Sequence, residues 1–263
     1  GLCQGSDSTE LPTILHDQHK HTHLVQWIID NGGYVHPDVD WNTFVVKKAI
    51  LPETKLLEIP DGCLMTPQLS EYTKLGALLA PFDEQIVERS RLAVWLLYEK
   101  RQANSHYKPY LDSLPDADHL EVPMMWSDAD KKELEGTWVL DRLEADAEGI
   151  LSDYDYVIGQ LLGPAHPEIF EDITEREYLW AWSILLSRTQ YVTKTGLMGR
   201  SNVATLMPLL DAIPYSAAAK HQIDTSVITR YVSKSTLGPS AIVSRNYGGQ
   251  HRLPNLELFR LYG

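Results

Sequence analysis

Short strand-like segments stand at both ends of this chain, and the long stretch between them reads only as helix. Thr43–Ile50 and Lys55–Ile59 are strand-like runs separated by the turn Leu51-Pro52-Glu53-Thr54. Near the other end, Val203–Leu210, Ser226–Val232 and Ala241–Val243 are apolar stretches set between Gly, Pro and Ser breaks. The middle carries a tightly apolar helix over Ser90–Arg101. An acidic amphipathic helix follows, from the capping sequence Ser127-Asp128-Ala129-Asp130 to Leu162, with a break near Gly136. Thr174-Glu175-Arg176-Glu177 is a second capping box and opens a helix from about Glu175 to Val192. This order predicts an α+β fold in which one β-rich domain is interrupted by an all-helical insertion. The expected boundaries are an N-terminal arm at 1–23, a first β-rich portion at 24–80, the insertion at 81–192 and a second β-rich portion at 193–263.

Charge and composition narrow the function classes. The formal net charge is -13, which repels phosphate backbones and excludes nucleic acid as a partner. Lysine-rich protein segments are attracted instead. The two cysteines, Cys3 and Cys63, form neither a disulfide framework nor a CxxC zinc pair. His16, His19, His21 and His23 lack carboxylate partners and read as a solvated arm leading into the apolar helix Leu24–Ile29, so no metal site is expected. Asn31-Gly32-Gly33 stops that helix. The longest apolar run, around Trp180 to Leu186, falls short of the ~20 residues a membrane span requires.

A series of segments then carries a family resemblance. Leu92-Ala93-Val94-Trp95-Leu96-Leu97-Tyr98-Glu99-Lys100 resembles the LAxxLLxEK segment of the Rubisco large-subunit lysine methyltransferase family, whose fold is a split SET domain with a helical insertion. Tyr107 to Pro115 resembles its WxPYxxxLP segment, and Trp180 through Arg188 its WAxxxVxSR segment. Met125-Trp126-Ser127 and Leu134-Glu135-Gly136-Thr137 resemble two further short segments. Leu206 to Asp211 is similar to the start of LVPxxDxxNH, Asn246-Tyr247-Gly248 to SYG, and Asn255 to Gly263 to SNxxLLxxYG. The segments fall in family order from about residue 24 to 263. The family adds a C-terminal helical substrate-binding domain, which the residues here do not reach.

The resemblance implies S-adenosylmethionine as cofactor and transfer of its methyl group to a lysine (or histidine) nitrogen. It implies Arg188, Asp211, Asn42 and Tyr215 at the cofactor, Tyr247 as the catalytic tyrosine and Tyr262 as the aromatic of the terminal motif. The chain departs from the pattern twice. Trp41-Asn42-Thr43 stands where the family has GxG, and an indole there must fill the cofactor cleft or rotate away. Pro214-Tyr215 stands where the family has Asn-His, and proline lacks a backbone N–H. These departures point to a pseudoenzyme without cofactor, serving as a structural or interaction subunit of a larger plastid or other organellar assembly. The alternative is an active S-adenosylmethionine-dependent protein N-methyltransferase. The start at Gly1 rather than Met fits removal of a targeting segment.

Overall fold

The computed structural model describes residues 20–196, 199–246 and 259–261, with backbone alone at 193–196 and 199–201. Cys3, His16, His19, Tyr247 and Tyr262 lie outside the described residues.

Helix α1 (Thr22–Asp30) buries Leu24, Trp27 and Ile28 on one face. It ends at Asn31, and Gly32 takes a φ of +86°, a left-handed turn that glycine adopts without a steric penalty. Gly33 is packed so closely that an added Cβ would lie 2.6 Å from Ile28 Cγ2 and 2.7 Å from the Glu58 carbonyl oxygen. This close fit seats α1 beside the main sheet.

That sheet is antiparallel and has four strands, in the order β1 (Tyr34–Val35), β4 (Lys55–Ile59), β8 (Thr229–Ser233) and β7 (His221–Asp224). Both ends of the sequence therefore build one sheet. Leu57 pairs with Val35 on one side and Tyr231 on the other. Leu56, Leu57 and Ile59 are fully buried. Between the two central strands, Glu58 stands opposite Arg230 and accepts its Nε–H at 2.6 Å. Two smaller antiparallel pairs complete the β structure: β2 (Val39–Asp40) with β3 (Val45–Val46), and β5 (Gln190–Gly196) with β6 (Gly199–Thr205). Isolated bridges Met65–Leu206, Val45–Ile242 and Ile50–Leu237 join the first β-rich portion to the second.

The insertion is built on helix α2 (Glu88–Arg101), every residue of which is buried from Ser90 to Leu97. Burial on all sides explains its crowded apolar sequence. Helix α3 (Trp138–Tyr154) continues as a π-helix over Asp155–Leu162. Gly136, at φ +77°, breaks the acidic segment, and the Thr137 side chain caps α3. Helix α4 (Glu175–Arg188) opens on a full capping box between Thr174 and Glu177. The Asp153 carboxylate ties the three helices together, accepting Ser90 Oγ–H at 2.8 Å and Tyr178 O–H at 2.6 Å.

The molecule has an α+β fold. Two expected elements differ. The strand expected over Thr43–Ile50 shrinks to Val45–Val46, because Phe44 adopts a φ of +58° and turns the chain before the ladder begins. The helix expected to reach Val192 ends at Arg188; Thr189 is extended, and the β-branched and aromatic run Gln190 to Thr193 pairs with β6 instead.

Candidate functional site

Arg188 is the last residue of α4, and Asp211 lies in the turn after β6. That turn is tight: Leu209 has a φ of +69°, and Asp211 N–H donates to the Met207 carbonyl at 3.0 Å. The turn drives the Asp211 side chain inward until only 1% of it is exposed. Its Oδ2 accepts the Tyr110 hydroxyl at 2.6 Å and faces Arg188 Nη1 at 3.8 Å. Its Oδ1 is buried and has no hydrogen-bond partner among the described residues. A buried acceptor left open on a charged group is costly, at roughly 1–3 kcal/mol or more. A donor from a ligand would relieve that cost.

Tyr110 belongs to the short helix Lys108–Leu111 and is fully buried. Burial, reinforced by the Asp211 charge, pushes its hydroxyl well above the ordinary tyrosine value. The hydroxyl therefore stays protonated and remains a donor to Asp211. Arg188 keeps 20% of its side chain exposed. The pair thus offers an unused anionic oxygen beside a partly open cation, an arrangement that suits a zwitterion.

The loop Trp41–Phe44 is linked to this pair through His21, which bonds to Trp41 and Asn42 and feels the charges of Asp211 and Arg188. Trp41 is buried: its Nε1–H donates to the His36 carbonyl at 3.0 Å, and the ring meets Phe44 edge-on at 6.2 Å. Among the described residues its partners are His36 and Phe44 rather than Arg188 or Asp211. Asn42 is occupied elsewhere, with Oδ1 accepting His21 N–H at 2.8 Å and Nδ2–H donating to Thr22 Oγ at 3.2 Å.

His21 departs from the reading of a solvated arm, of which residues 1–19 lie outside the described residues. It is buried, 6% exposed, and its Nδ1 lies 2.8 Å from the Trp41 carbonyl oxygen. Its ring packs against Phe44 at 5.4 Å. Burial lowers its pKa; the Trp41 carbonyl opposes that, and the charges of Lys20, Asp211 and Arg188 act on the ring as well. Neighbouring His23 is exposed. The signal was in the spacing, since His21, Leu24 and Ile28 fall at i, i+3 and i+7 on one helix face. Tyr110 was likewise present in a quoted segment, but its bond to Asp211 spans 101 residues.

The Pro214-Tyr215 segment takes part in backbone pairing. The Pro214 carbonyl accepts Arg245 N–H at 2.8 Å, and Ser216 N–H donates to the Arg245 carbonyl at 2.9 Å. Tyr215 is 44% exposed. The structure therefore brings Arg188 and Asp211 together with Tyr110 and His21. It leaves Asn42 on the His21 side of the loop and Tyr215 at the surface.

Among the described residues, no group of three His, Cys, Asp or Glu could hold a metal ion. No described helix is long and apolar enough to cross a membrane. Burial pushes the lone described thiol, Cys63, up to about 11. A cavity of about 410 Å³ opens between α2, α3 and α4, beside Arg89, Gly149 and Trp182, apart from the Arg188–Asp211 pair.

No family model matches the chain. It is 28% identical over 176 residues to the chloroplastic [fructose-bisphosphate aldolase]-lysine N-methyltransferase of Arabidopsis thaliana, covering 67% of this chain and 34% of that protein. It is 23% identical over 231 residues to human N-lysine methyltransferase SETD6, covering 83% of this chain and 47% of that one. The chain thus spans less than half the length of these relatives. Its fold matches the SET domain of LSMT, solved with lysine and AdoHcy, at a TM-score of 0.75 and 18% identity, over 95% of this chain and 57% of that structure.

Proposed function

Because this chain is a SET-fold protein homologous to SETD6 and the Rubisco LSMT-type lysine methyltransferases, we propose that it is an S-adenosylmethionine-dependent protein-lysine N-methyltransferase. The observation that carries the reading is the buried Asp211 carboxylate, with Oδ1 open and Arg188 3.8 Å from Oδ2. These residues fit the amino-acid end of the cofactor: Asp211 would take the ammonium and Arg188 the carboxylate. When bound, the cofactor supplies the methyl group through its sulfonium. Tyr110 holds Asp211 in place, and the Trp41 indole is engaged by the His36 carbonyl and Phe44. Tyr247 is proposed as the catalytic tyrosine by its place in the Asn-Tyr-Gly segment.

A second reading, a scaffold subunit without cofactor, draws support from the polar groups of the 41–42 loop, which His21 already engages. It also draws support from Pro214, which has no N–H to offer. One experiment separates the two: transfer of labelled methyl groups from S-adenosylmethionine to proteins of a cell extract. We expect labelling by the wild type and a loss of at least about tenfold in Asp211→Asn and Arg188→Ala, as for one charged contact. Labelling untouched by both substitutions would reject the site. No labelling, together with no calorimetric binding of adenosylhomocysteine at millimolar concentration, would favour the scaffold. A plastid location is supported by the chloroplastic relative alone, and a fluorescent fusion of the full-length protein that stays in the cytosol would reject it.

A further inference from the structure

We infer that His21 is a positioning residue of the cofactor groove: it ties the start of α1 to the Trp41–Asn42 loop and so fixes that loop relative to Arg188 and Asp211. The inference rests on the reading that this pair receives S-adenosylmethionine. Two bonds make the tie, His21 N–H to Asn42 Oδ1 and the ring Nδ1 to the Trp41 carbonyl, each at 2.8 Å. A third, from Asn42 Nδ2–H to Thr22 Oγ, closes the ring of contacts at 3.2 Å. The family's glycine motif lets backbone approach the cofactor. Here bulky Trp41 and left-handed Phe44 occupy that loop, and its shape depends on something outside it. His21 is the buried group that supplies this.

The tie also sets the protonation of the ring. A carbonyl only accepts, so Nδ1 must carry the hydrogen. A neutral ring then leaves Nε2 bare, whereas a second proton adds positive charge. The charges acting on the ring are Lys20 on its own segment, Arg188 at the end of α4 and Asp211 after β6. Burial, the largest cause, disfavours that proton, as do Lys20 and Arg188, while the Trp41 carbonyl and Asp211 favour it.

The test is calorimetric titration of the purified chain with S-adenosylmethionine and with adenosylhomocysteine at pH 7.5, with hydrogen exchange of residues 41–44 read in parallel. In the wild type, we expect both compounds to bind. His21→Ala should lose about tenfold for both compounds, the value of one well-placed hydrogen bond, and its 41–44 amides should exchange faster. His21→Asn places an N–H donor near the position of Nδ1. It should restore the affinity and the slow exchange. Binding by His21→Ala as tight as wild type, or affinity that His21→Asn does not restore, overturns the inference. If the wild type binds neither compound, the cofactor reading falls. Exchange then decides the tie alone, unchanged rates in His21→Ala refuting it and faster rates upholding it.

Discussion

Asp211 concentrates the unusual chemistry of the chain in a single side chain. Its carboxylate is 1% exposed, yet among the described residues one oxygen has no donor and the other depends on Tyr110 and a distant guanidinium. Tyr110→Phe keeps the ring and deletes the closer donor. We expect it to destabilise the fold by about 1–3 kcal/mol, the cost of leaving a buried charged acceptor unpaired, read as a lower midpoint in urea. Arg188 and Asp211 were legible because each sits in a segment of recognisable type. The burial of His21 was signalled by its helix-face spacing, but its tie was not, because Trp41 and Asn42 lie some 20 positions away. The contacts of Trp41 were not legible either. Whether an indole fills a cleft or turns aside depends on the His36 carbonyl and the Phe44 ring, and no local pattern encodes their positions.

Among the elements, those held by local rules were the easiest to read. The Thr174 capping box, the break at Gly136 and the apolar belt of α2 are each visible within a few residues and appear in the fold as expected. The boundaries that failed are set by distant pairing. Thr189 leaves the helix because β6 is available to its successors, and the Thr43–Ile50 run is cut short by a left-handed phenylalanine. Within α3, Gly149 faces the cavity beside Arg89 and Trp182, and a Cβ built on it meets nothing within 4 Å. Gly149→Ala therefore gains helix propensity without a clash and should stabilise the protein by about 0.5–1 kcal/mol, measured as a raised thermal midpoint.

For the whole molecule, the excess of acid is the feature most relevant to partners. With 36 Asp and Glu against 23 Lys and Arg, the surface favours lysine-rich segments. Binding of a lysine-rich peptide should weaken steadily from 50 to 300 mM salt, roughly the range over which screening shortens below ~10 Å. Affinity indifferent to salt in an anisotropy titration would mean that charge does not select the partner. The interrupted order of strands and helices was readable from one end of the sequence to the other. The pairing that unites its two ends was not, because register depends on contacts across the whole insertion.

The bond between Glu58 and Arg230 bridges 172 positions of chain. Closing so long a loop costs entropy, and long-range pairing of strands such as β4 and β8 is slow. Helices α2, α3 and α4, knotted through Asp153, can condense first and draw the two strands within reach. The insertion thus serves as the tether that shortens the search, and the groove beside Asp211 exists only after that search has ended.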